Sequence, residues 1–478
     1  MFRGGVVAAA CPGLIVAGLR GGSGKTFLTM SLVSYWGAMG RWVVTFKKGP
    51  DYIDAAWLAM ASGRPCYNLD PYLMSPEQIL ASYARRTEAA QVAVVEGNRG
   101  LFDGVDEHGT YSTAELAKLL GLPVVVVLDV TKTTRTAAAM VLGLRALDPE
   151  LPIAGVVLNQ VGNPRHESIL RKSVERYGGV AVLGALPRLR DLGLPERHLG
   201  LVPPPEKRDA KGILERAAEL VSHYVDVEAL WELALKHTRC IPQVHLYRAK
   251  RQASKSGAKL GVIRDSAFHF YYPENLEALA DEGLQLVEID ALKHSGLPKV
   301  DGLYMGGGFP EMFASALADN QGLRREIRSM VLDGLPVYAE CGGLMYLGEG
   351  IRAQGRSYPM VGALPLWTEF TDRPQGHGYT ALEAVEENPF IPKGDLLKGH
   401  EFHYSRVVSL DESKVRFAFS VKRGRGLDGH RDGILKENVL ASYTHLHAAS
   451  CEDWAFRVAE CAKARKASAE RLALKALP

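Results

Sequence analysis

The segment GLRGGSGKT (18–26) has the glycines, the lysine and the hydroxyl group that phosphate binding requires. It follows an apolar run and precedes an amphipathic stretch, so its glycines can turn backbone N–H groups toward phosphate oxygens. Lys25 can reach the β- and γ-phosphates, and Thr26 can bind Mg²⁺. The leading glycine is Gly18, one residue earlier than in the strict GxxxxGK[ST] pattern, so a glycine-rich turn is the alternative. We predict that this loop binds ATP through Gly22, Ser23, Gly24, Lys25 and Thr26.

Four carboxylates lie in two glycine-containing segments downstream of that loop. KKGPDYIDAAW carries Asp51 and Asp54, and EGNRGLFDG carries Glu96 and Asp103. Glu96 ends an apolar run, the position at which open parallel sheets place ligands, and a carboxylate there can hold Mg²⁺ beside phosphates. For any one of these acids, a solvated loop residue or a helix cap is the simpler interpretation. Four acids near one phosphate loop favour a function, and we predict that Thr26, Glu96 and Asp51 bind the metal.

A third segment, AECGGLMYL, places Cys341 between an apolar run and a helical pattern. This order is typical of the strand–turn–helix elbow that exposes a nucleophile. The N–H of Gly342 can face an oxyanion, and Gly307 and Gly308 of MGGGFPE can supply another oxyanion N–H. The start of the helix is expected to lower the pKa of the thiol. SYTHLHAA supplies His445 as the general base. A lone Cys is usually a small core residue, but ECGG with a downstream HLH favours catalysis.

A nucleotide loop and an amide-cleaving thiol in one chain predict a coupled reaction. The thiol would release ammonia from glutamine, and the ATP site would activate a carboxylate as an acyl phosphate that the ammonia attacks. A carboxylate is a poor electrophile at neutral pH, and ammonia is mostly protonated there. Both sites are therefore needed to form an amide.

The elements that must position these residues alternate between strand and helix patterns. Asn159 follows one apolar run and is a candidate for reading the adenine edge, with a turn-forming Asn as the alternative. Helical patterns at 112–120 and 136–147 separate the runs, which indicates a mostly parallel sheet. The expected buried strands of the first series are 14–19, 43–46, 92–97, 124–130, 154–161 and 180–186. A second series is expected at 260–264, 284–290, 302–308 and 336–343.

These two series divide the chain into two α/β domains. We expect an ATP-dependent synthetase domain at 1–242, a basic and polar linker at 243–258, and a glutamine amidotransferase domain at 259–450. A C-terminal helix is expected at 451–478, where Ala, Lys, Arg and Glu are frequent. The segment GHEFHYS (399–405) is interpreted as a loop of the second domain, because its H-E-F-H spacing does not fit a zinc-binding helix.

Composition excludes several other classes of function. The chain has 478 residues, 47% hydrophobic and 23% charged, with a formal net charge of +3, so its charge gives no argument for nucleic-acid binding. No apolar stretch is long enough to span a membrane. The six cysteines form no CxxC pair, and in a chain of this length they indicate reduced thiols and a cytoplasmic location.

Taken together, these motifs resemble those of the cobyrinic acid a,c-diamide synthases, in family order and across nearly the whole chain. The resemblance implies a P-loop domain similar to dethiobiotin synthetase, followed by a class I glutamine amidotransferase-like domain. It also implies MgATP, L-glutamine and a polycarboxylate tetrapyrrole as ligands, and it suggests a homodimer. By motif, the metal and acyl-phosphate site would contain Asp51, Asp54, Glu96 and Asp103, and the thiol site would contain Cys341 and His445.

Three departures from the family pattern bear on the substrate and on the thiol. Lys48 in KKGPDYIDA, and Asn98 with Arg99 in EGNRG, replace the usual apolar residues. Together with Tyr52 they are candidate substrate contacts, since cationic donors suit carboxylates. These versions are closer to the siroheme amidase branch, with nickel-sirohydrochlorin diamide synthases as another relative, although Lys48 and Arg99 could also be solvated charges. Third, His447 stands where class I amidotransferases have the Glu of His-x-Glu, which implies a Cys–His dyad.

Two other classes fit the sequence less well. A partitioning-type ATPase would carry a second Lys near the start of the glycine-rich loop, where this chain has Arg20, and it would leave Cys341 and His445 without a role. A sensor with an inactive amidotransferase domain would be expected to have lost the Cys or the His, and both are present.

Overall fold

A computed structural model describes residues 11–188, 196–197, 200–201, 203–204, 209–239 and 257–475 of this chain. The chain forms two compact units, Met1–Tyr247 and Arg248–Pro478. The predicted linker at 243–258 lies outside the described residues except for its last two positions. Among the described helices, none has both the length and the apolar character that crossing a bilayer requires.

The first unit is built on a parallel sheet. Its strands are β1 (Cys11–Gly18), β2 (Val43–Lys48), β3 (Cys66–Leu69), β4 (Val92–Glu96), β5 (Val124–Asp129), β6 (Ile153–Val161), β7 (Ala181–Pro187), β8 (Glu196–Arg197), β9 (Gly200–Leu201) and β10 (Thr238–Arg239). The order is β3-β2-β4-β1-β5-β6-β7, with parallel neighbours throughout. A pair formed by β8 and β9 is antiparallel, as is the pairing of β10 with β1. The prediction of a mostly parallel sheet is therefore confirmed.

Helices follow most strands of this sheet. They are α1 (Lys25–Ala38), α2 (Ile53–Ser62), α3 (Pro76–Thr87), α4 (Thr113–Leu120), α5 (Thr136–Leu147), α6 (Pro164–Ser173), α7 (Ala210–Tyr224) and α8 (Val227–Lys236). The predicted helices at 112–120 and 136–147 are confirmed as α4 and α5. The start of α4 is fixed by Ser112, whose hydroxyl accepts the N–H of Glu115. On one face of the sheet the core includes Trp36 of α1 and Trp231 of α8, with ring centroids 5.2 Å apart.

The second unit has a sheet that is parallel on one side and antiparallel on the other. Its strands are β11 (Lys259–Ile263), β12 (Phe268–Phe270), β13 (Gln285–Ile289), β14 (Gly302–Met305), β15 (Gly307–Gly308), β16 (Val337–Glu340), β17 (Gly350–Ala353), β18 (Arg356–Pro359), β19 (Leu366–Phe370), β20 (Gly376–Ala384), β21 (Leu396–His403), β22 (Ser405–Leu410), β23 (Arg416–Arg423), β24 (Arg431–Lys436), β25 (Val439–Ser442) and β26 (His445–Leu446). The main order is β13-β11-β14-β16-β25-β24-β23-β20-β21-β26. Pairs from β13 to β25 are parallel, and the pairs beyond β25 are antiparallel.

The helices of this unit are α9 (Pro273–Asp281), α10 (Ala314–Asp319), α11 (Gln321–Leu332), α12 (Gly342–Leu347) and α13 (Trp454–Lys475). The last of these corresponds to the predicted C-terminal helix. Its apolar side belongs to the core of the second unit, where Trp454, Val458 and Ala462 are buried with Tyr304 and Tyr338. The helix is therefore an integral part of this unit's core.

The interpretation of GHEFHYS as a loop is wrong, because β21 runs through it and pairs with β20 and β26. The polar residues concealed the strand, since they are buried with partners supplied by distant segments. Glu401 accepts the backbone N–H groups of Arg425 and Gly426. His400 approaches the hydroxyl group of Tyr272, with 3.2 Å between its Nδ1 and the oxygen.

Candidate active sites

The glycine-rich segment forms a tight turn between β1 and α1. Gly22 and Gly24 adopt positive φ angles of 72° and 95°, which favour glycine. The Ser23 hydroxyl donates to the carbonyl oxygen of Arg20 at 2.8 Å and closes the turn. The predicted nucleotide residues at 22–26 are thus gathered at the start of a helix, where backbone N–H groups have no partner within the helix.

The ammonium group of Lys25 lies between two backbone segments. It donates to the carbonyl oxygen of Arg20 at 3.0 Å and to that of Arg99 at 2.8 Å. Burial and the nearby charge of Lys47 lower the pKa of Lys25 to about 8. An anion placed beside this lysine would stabilise its charged form.

Asn159 lies at the end of β6 and contacts the phosphate loop. Its side-chain amide donates to the carbonyl oxygen of Ser23 at 2.9 Å, and a Cβ atom on Gly24 would collide with it. Its oxygen accepts the N–H of Gln160 at 2.9 Å. The structure therefore gives Asn159 a part in holding the loop, and adenine recognition by this residue stays a prediction.

A buried lysine that was not among the predicted site residues holds the predicted carboxylates together. Lys47, on β2 and 1% exposed, lies with its Nζ 2.6 Å from Asp54, 2.5 Å from Glu96 and 3.8 Å from Asp51. The register of β2 on β4 places Lys47 opposite Glu96. We call Lys47, Asp51, Asp54 and Glu96 the carboxylate cluster. In the sequence, Lys47 stands two residues before Gly-Pro-Asp-Tyr-Ile-Asp, but only the adjacent Lys48 was predicted to have a role.

The charged groups of the carboxylate cluster shift one another's pKa values. Burial disfavours the charged form of Lys47, but Asp54, Glu96 and Asp51 outweigh it and hold the pKa of Lys47 well above its usual range. Burial would raise the pKa of Asp54, but Lys47 holds it below its usual value. Burial and the charge of Asp54 raise the pKa of Asp51 to about 7. Burial also raises the pKa of Glu96, against the opposing effect of Lys47.

The residues beside the carboxylate cluster differ in exposure. Asp103 accepts the N–H of Gly100 at 2.8 Å and so closes its own turn. Arg99 is exposed in that turn with a φ of 50°. Lys48 is buried, and burial lowers its pKa against the opposing charge of Asp70. Lys48 is therefore not a solvated surface charge, whereas Arg99 does lie at the surface. Tyr52 is partly buried at the start of α2.

The cluster partly fits the predicted Mg²⁺ site. The hydroxyl group of Thr26 donates to Glu96 Oε1 at 2.8 Å, while Glu96 Oε2 is buried and has no hydrogen-bond partner among the described residues. Within the described residues, no three His, Cys, Asp or Glu side chains come together as a metal-binding group. Mg²⁺ commonly takes only one or two carboxylates and completes its shell with phosphates and water. Thr26 and Glu96 suit that arrangement, whereas Asp51 faces Lys47.

The strand–turn–helix elbow at Cys341 is confirmed. Cys341 stands between β16 and α12 with φ 47° and ψ −99°, a strained conformation for a side-chain-bearing residue. Its N–H donates to the carbonyl oxygen of Ser442 at 2.7 Å. Beside it lie the predicted glycines, since a Cβ atom on Gly342 would be 3.2 Å from the nitrogen of Gly308 and 3.4 Å from the carbonyl carbon of Gly307.

The expectation that the start of the helix lowers the pKa of Cys341 is wrong. Burial, with a smaller contribution from the charge of Glu311, raises the pKa of the thiol far above its usual value, although the N–H of Gly342 opposes this. The helix that follows has only six residues. A short helix at a fully buried site does not compensate for the loss of solvation. The thiol therefore needs a base to accept its proton.

His445, the predicted base, is buried beside the same glycines. A Cβ atom on Gly307 would collide with the Cε1 edge of its ring and would lie 3.2 Å from its Nε2. On the other side, the Nδ1 of His445 lies 3.5 Å from Oε2 of Glu340. Glu340 directly precedes Cys341 in the sequence, but it was not predicted as a site residue because its contact is with the distant His445. His447 is directed elsewhere, with its Nε2 3.8 Å from Glu274.

Comparisons with known proteins match both units. Residues 14–202 match the family described as CobQ/CobB/MinD/ParA nucleotide binding domain, and residues 259–452 match the CobB/CobQ-like glutamine amidotransferase domain. A cobyrinate a,c-diamide synthase of Magnetococcus marinus is 42% identical over 93% of this chain and 96% of its own length. One of Archaeoglobus fulgidus is 42% identical over 95% and 98%, and one of Methanothermobacter thermautotrophicus is 40% identical over 92% and 97%.

A nucleotide-binding α/β domain followed by an amidotransferase domain with its thiol elbow defines a glutamine-dependent, amide-forming ligase. The predicted fold, a P-loop domain and a class I amidotransferase-like domain, is confirmed. Because relatives at this level of identity match over nearly their full length, the chain belongs to the cobyrinate a,c-diamide synthase family.

Proposed function

We propose that this chain converts the a and c acetate side chains of cobyrinate to amides, using ATP and glutamine. The printed activity of its relatives supports this substrate. The observation that carries the proposal is the carboxylate cluster beside the phosphate loop, in a chain that also holds a buried thiol beside a histidine. An ATP-consuming site and an amide-cleaving site are both required for this reaction.

In the first unit, an oxygen of the substrate carboxylate attacks the γ-phosphorus of ATP. The bond from the γ-phosphorus to the bridging oxygen breaks, giving ADP and an acyl phosphate. Lys25 stabilises the charge that builds up on the phosphate oxygens. Lys47 fixes the positions of Asp51, Asp54 and Glu96, so that their charge does not repel the nucleotide as strongly as three free carboxylates would.

Thr26 and Glu96 would hold Mg²⁺, because a hydroxyl oxygen and a buried carboxylate oxygen suit a hard cation. When bound, the cation neutralises phosphate charge. Asp51, Asp54 and Asp103 remain proposed catalytic acids at this site. Asp51 as a third metal ligand stays a prediction.

In the second unit, His445 takes the proton of Cys341 and the thiolate attacks the amide carbon of glutamine. The oxyanion is stabilised by N–H groups of Gly342, Gly307 or Gly308. The proton passes to the leaving nitrogen, and ammonia departs as the carbon–nitrogen bond breaks. Water then hydrolyses the thioester to glutamate. The ammonia attacks the acyl phosphate, and the amide forms as phosphate leaves.

Substrate carboxylates are proposed to meet Lys48, Tyr52 and Arg99. Lys48 is buried near Asp70, and a buried cation gains most from an additional anionic partner. These residues predict the siroheme amidase branch, whereas the similar proteins of Magnetococcus marinus, Archaeoglobus fulgidus and Methanothermobacter thermautotrophicus are cobyrinate a,c-diamide synthases. Siroheme and nickel-sirohydrochlorin are therefore alternative outcomes of the substrate test. Homodimerisation and a cytoplasmic location stay predictions.

The test is incubation with ATP, glutamine and each of cobyrinate, siroheme and nickel-sirohydrochlorin, followed by mass spectrometry of the tetrapyrrole. We expect two successive replacements of hydroxyl by amino groups on cobyrinate. Lys25→Ala should abolish amidation and keep glutamine hydrolysis. Cys341→Ser should abolish glutamine hydrolysis and keep amidation driven by added ammonium. Unchanged amidation in Lys25→Ala, or amidation of siroheme alone, would contradict the proposal.

A further inference from the structure

A carboxylate that was not predicted, that of Glu340, lies beside the predicted base His445. Glu340 is the last residue of β16 and is 1% exposed, and its Oε2 lies 3.5 Å from Nδ1 of His445. The opposite edge of the imidazole, with Nε2, faces Gly307 beside the thiol elbow. Nδ1 of His445 therefore faces a carboxylate, whereas Nε2 faces the glycines beside the nucleophile.

Glu340 is held in a fixed position. Its Oε1 accepts the hydroxyl of Tyr338 at 3.0 Å and the backbone N–H of Leu446 at 3.0 Å. Its Oε2 accepts the hydroxyl of Tyr304 at 3.2 Å. The contact with Leu446 ties Glu340 directly to the segment that carries His445. Three donors among the described residues surround this one buried carboxylate and fix its orientation.

The imidazole of His445 is also fixed from its face. The ring of His400 is stacked on it, with centroids 4.9 Å apart and planes at 18°. Burial, together with His445 and His447, holds the pKa of His400 well below its usual value, so His400 is neutral. A neutral ring at this distance restricts the rotation of His445 without competing for its proton.

We propose that Glu340 is the positioning residue for His445 in glutamine hydrolysis, in place of the acid two residues after the histidine that this chain lacks. This inference rests on the proposed function of the second unit. The carboxylate accepts the Nδ1–H of His445, so that Nε2 is the unprotonated nitrogen that takes the proton of Cys341. It then stabilises the imidazolium ion that forms. The distance of 3.5 Å shortens as His445 becomes charged, as catalytic hydrogen bonds often do when substrate binds.

The test compares Glu340→Gln with Glu274→Gln. Glutamine keeps nearly the volume of Glu340 and one of its two acceptor oxygens but removes its charge. Glu274 is the matched control, because it is a buried glutamate facing a neighbouring histidine, His447, at 3.8 Å. We expect Glu340→Gln to lower kcat for glutamine hydrolysis by about 100-fold or more with little change in KM, and Glu274→Gln to stay near wild type.

The pH profile separates positioning from a structural effect. Glu340→Gln removes the negative charge beside the base, so the acidic limb of kcat/KM should move to lower pH in this variant. Glu340→Asp should restore part of the activity and of the profile. Tyr304→Phe removes the hydroxyl group that donates to Oε2 but leaves the charge of Glu340 in place. This variant should therefore lower kcat less than Glu340→Gln does. Amidation driven by added ammonium should be unchanged in all of these variants.

Wild-type kcat and an unshifted pH profile in folded Glu340→Gln would overturn the inference. An equal loss in Glu274→Gln, or a parallel loss of ammonium-driven amidation, would overturn it as well, because the effect would not be specific to His445. Equal glutamine hydrolysis by wild type and Cys341→Ser would instead contradict the proposed function itself. The two failures are therefore distinguishable.

Discussion

The buried side chain of Lys47 affects the pKa values of several neighbouring carboxyl groups. An isolated ammonium group in the interior of a protein loses its proton easily, yet here three carboxylates hold the charge in place. In return, the lysine keeps the pKa of Asp54 low while the pKa of Asp51 rises to about 7. A bound nucleotide would therefore lie near a cluster whose net negative charge is smaller than that of three ionised carboxylates.

The lysine of the phosphate loop should report nucleotide binding as proton uptake. Its pKa is lowered to about 8, and phosphate charge would raise it again. At pH 8.5 we expect ATP binding to take up a fraction of a proton, and the affinity to fall as pH rises above 8. Below pH 7, Lys25 is charged before and after binding, and this uptake should vanish.

Calorimetric titration in two buffers of different ionisation enthalpy measures that uptake. Lys25→Arg is the control, because arginine keeps the charge and stays protonated at every pH tested. If Lys25→Arg took up as many protons as the wild type at pH 8.5, another group would be responsible.

The sequence motifs predicted only those site residues that can be recognised from their immediate neighbours in the sequence. Lys25 and Cys341 were found in this way, since their neighbours in sequence are part of the same local structure. Lys47 and Glu340 were not, because their roles arise from contacts with residues far away in the chain, such as Glu96 and His445. Burial likewise reversed the expected direction of the Cys341 pKa, and exposure cannot be read from a nine-residue motif.

At the scale of elements, the phosphate loop depends on one glycine that meets β6. Gly24 has φ 95°, and a Cβ atom would collide with the Asn159 side chain. We expect Gly24→Ala to lower the free energy of unfolding of the first unit by ~2 kcal/mol or more, from backbone strain and overpacking. Chemical denaturation without nucleotide measures it.

Gly21→Ala is the matched control for that substitution. Gly21 lies in the same loop, and a Cβ atom there would have no atom of the described part of the chain within 4 Å. We expect a change within about 0.5 kcal/mol. Equal losses in the two variants would show that the Gly24–Asn159 contact does not constrain the loop.

The elbow of the second unit stores strain that a different residue would release. Cys341 has φ 47° and ψ −99°, a region that glycine adopts readily. We therefore expect Cys341→Gly to be more stable than Cys341→Ala by about 1 kcal/mol or more, despite the greater flexibility of glycine in the unfolded chain. Urea denaturation of the two inactive variants compares them directly, and a more stable Cys341→Ala would contradict the idea of strain.

Most strands of the parallel sheet and of the parallel side of the second sheet were predicted, because they are buried on both faces and form continuous apolar runs, as in β5. The short strands β3 and β25 of these parallel regions were not predicted. The antiparallel part of the second sheet was not predicted. Strands such as β21 carry buried polar side chains, so neither a continuous run nor a clean alternation marks them. Their register depends on partners such as β20, more than ten residues away in the chain.

At the scale of the whole molecule, each unit has a hydrophobic core of its own. One core includes Trp36 and Trp231, and another includes Tyr338 and Trp454. We expect ligands of the two units to shift different thermal transitions. An ATP analogue at 100 times its Kd should stabilise the first unit by about 2.7 kcal/mol. A glutamine analogue that alkylates Cys341 should shift only the transition of the second unit.

Differential scanning calorimetry with each ligand alone measures these shifts. Lys25→Ala should remove the first shift and Cys341→Ser the second, each without affecting the other. A single transition that both ligands move together would contradict the expectation of independent cores.

The helix α13 contributes Trp454 to the aromatic group around Glu340, with its ring centroid 5.6 Å from Tyr304 and 5.3 Å from Tyr338. A ribosome makes this tryptophan after both tyrosines, after Cys341 and after His445. The aromatic group around Glu340 is therefore completed only after the nucleophile and the base have been made. We expect glutamine hydrolysis to require the folding of α13 as well as the presence of Cys341 and His445.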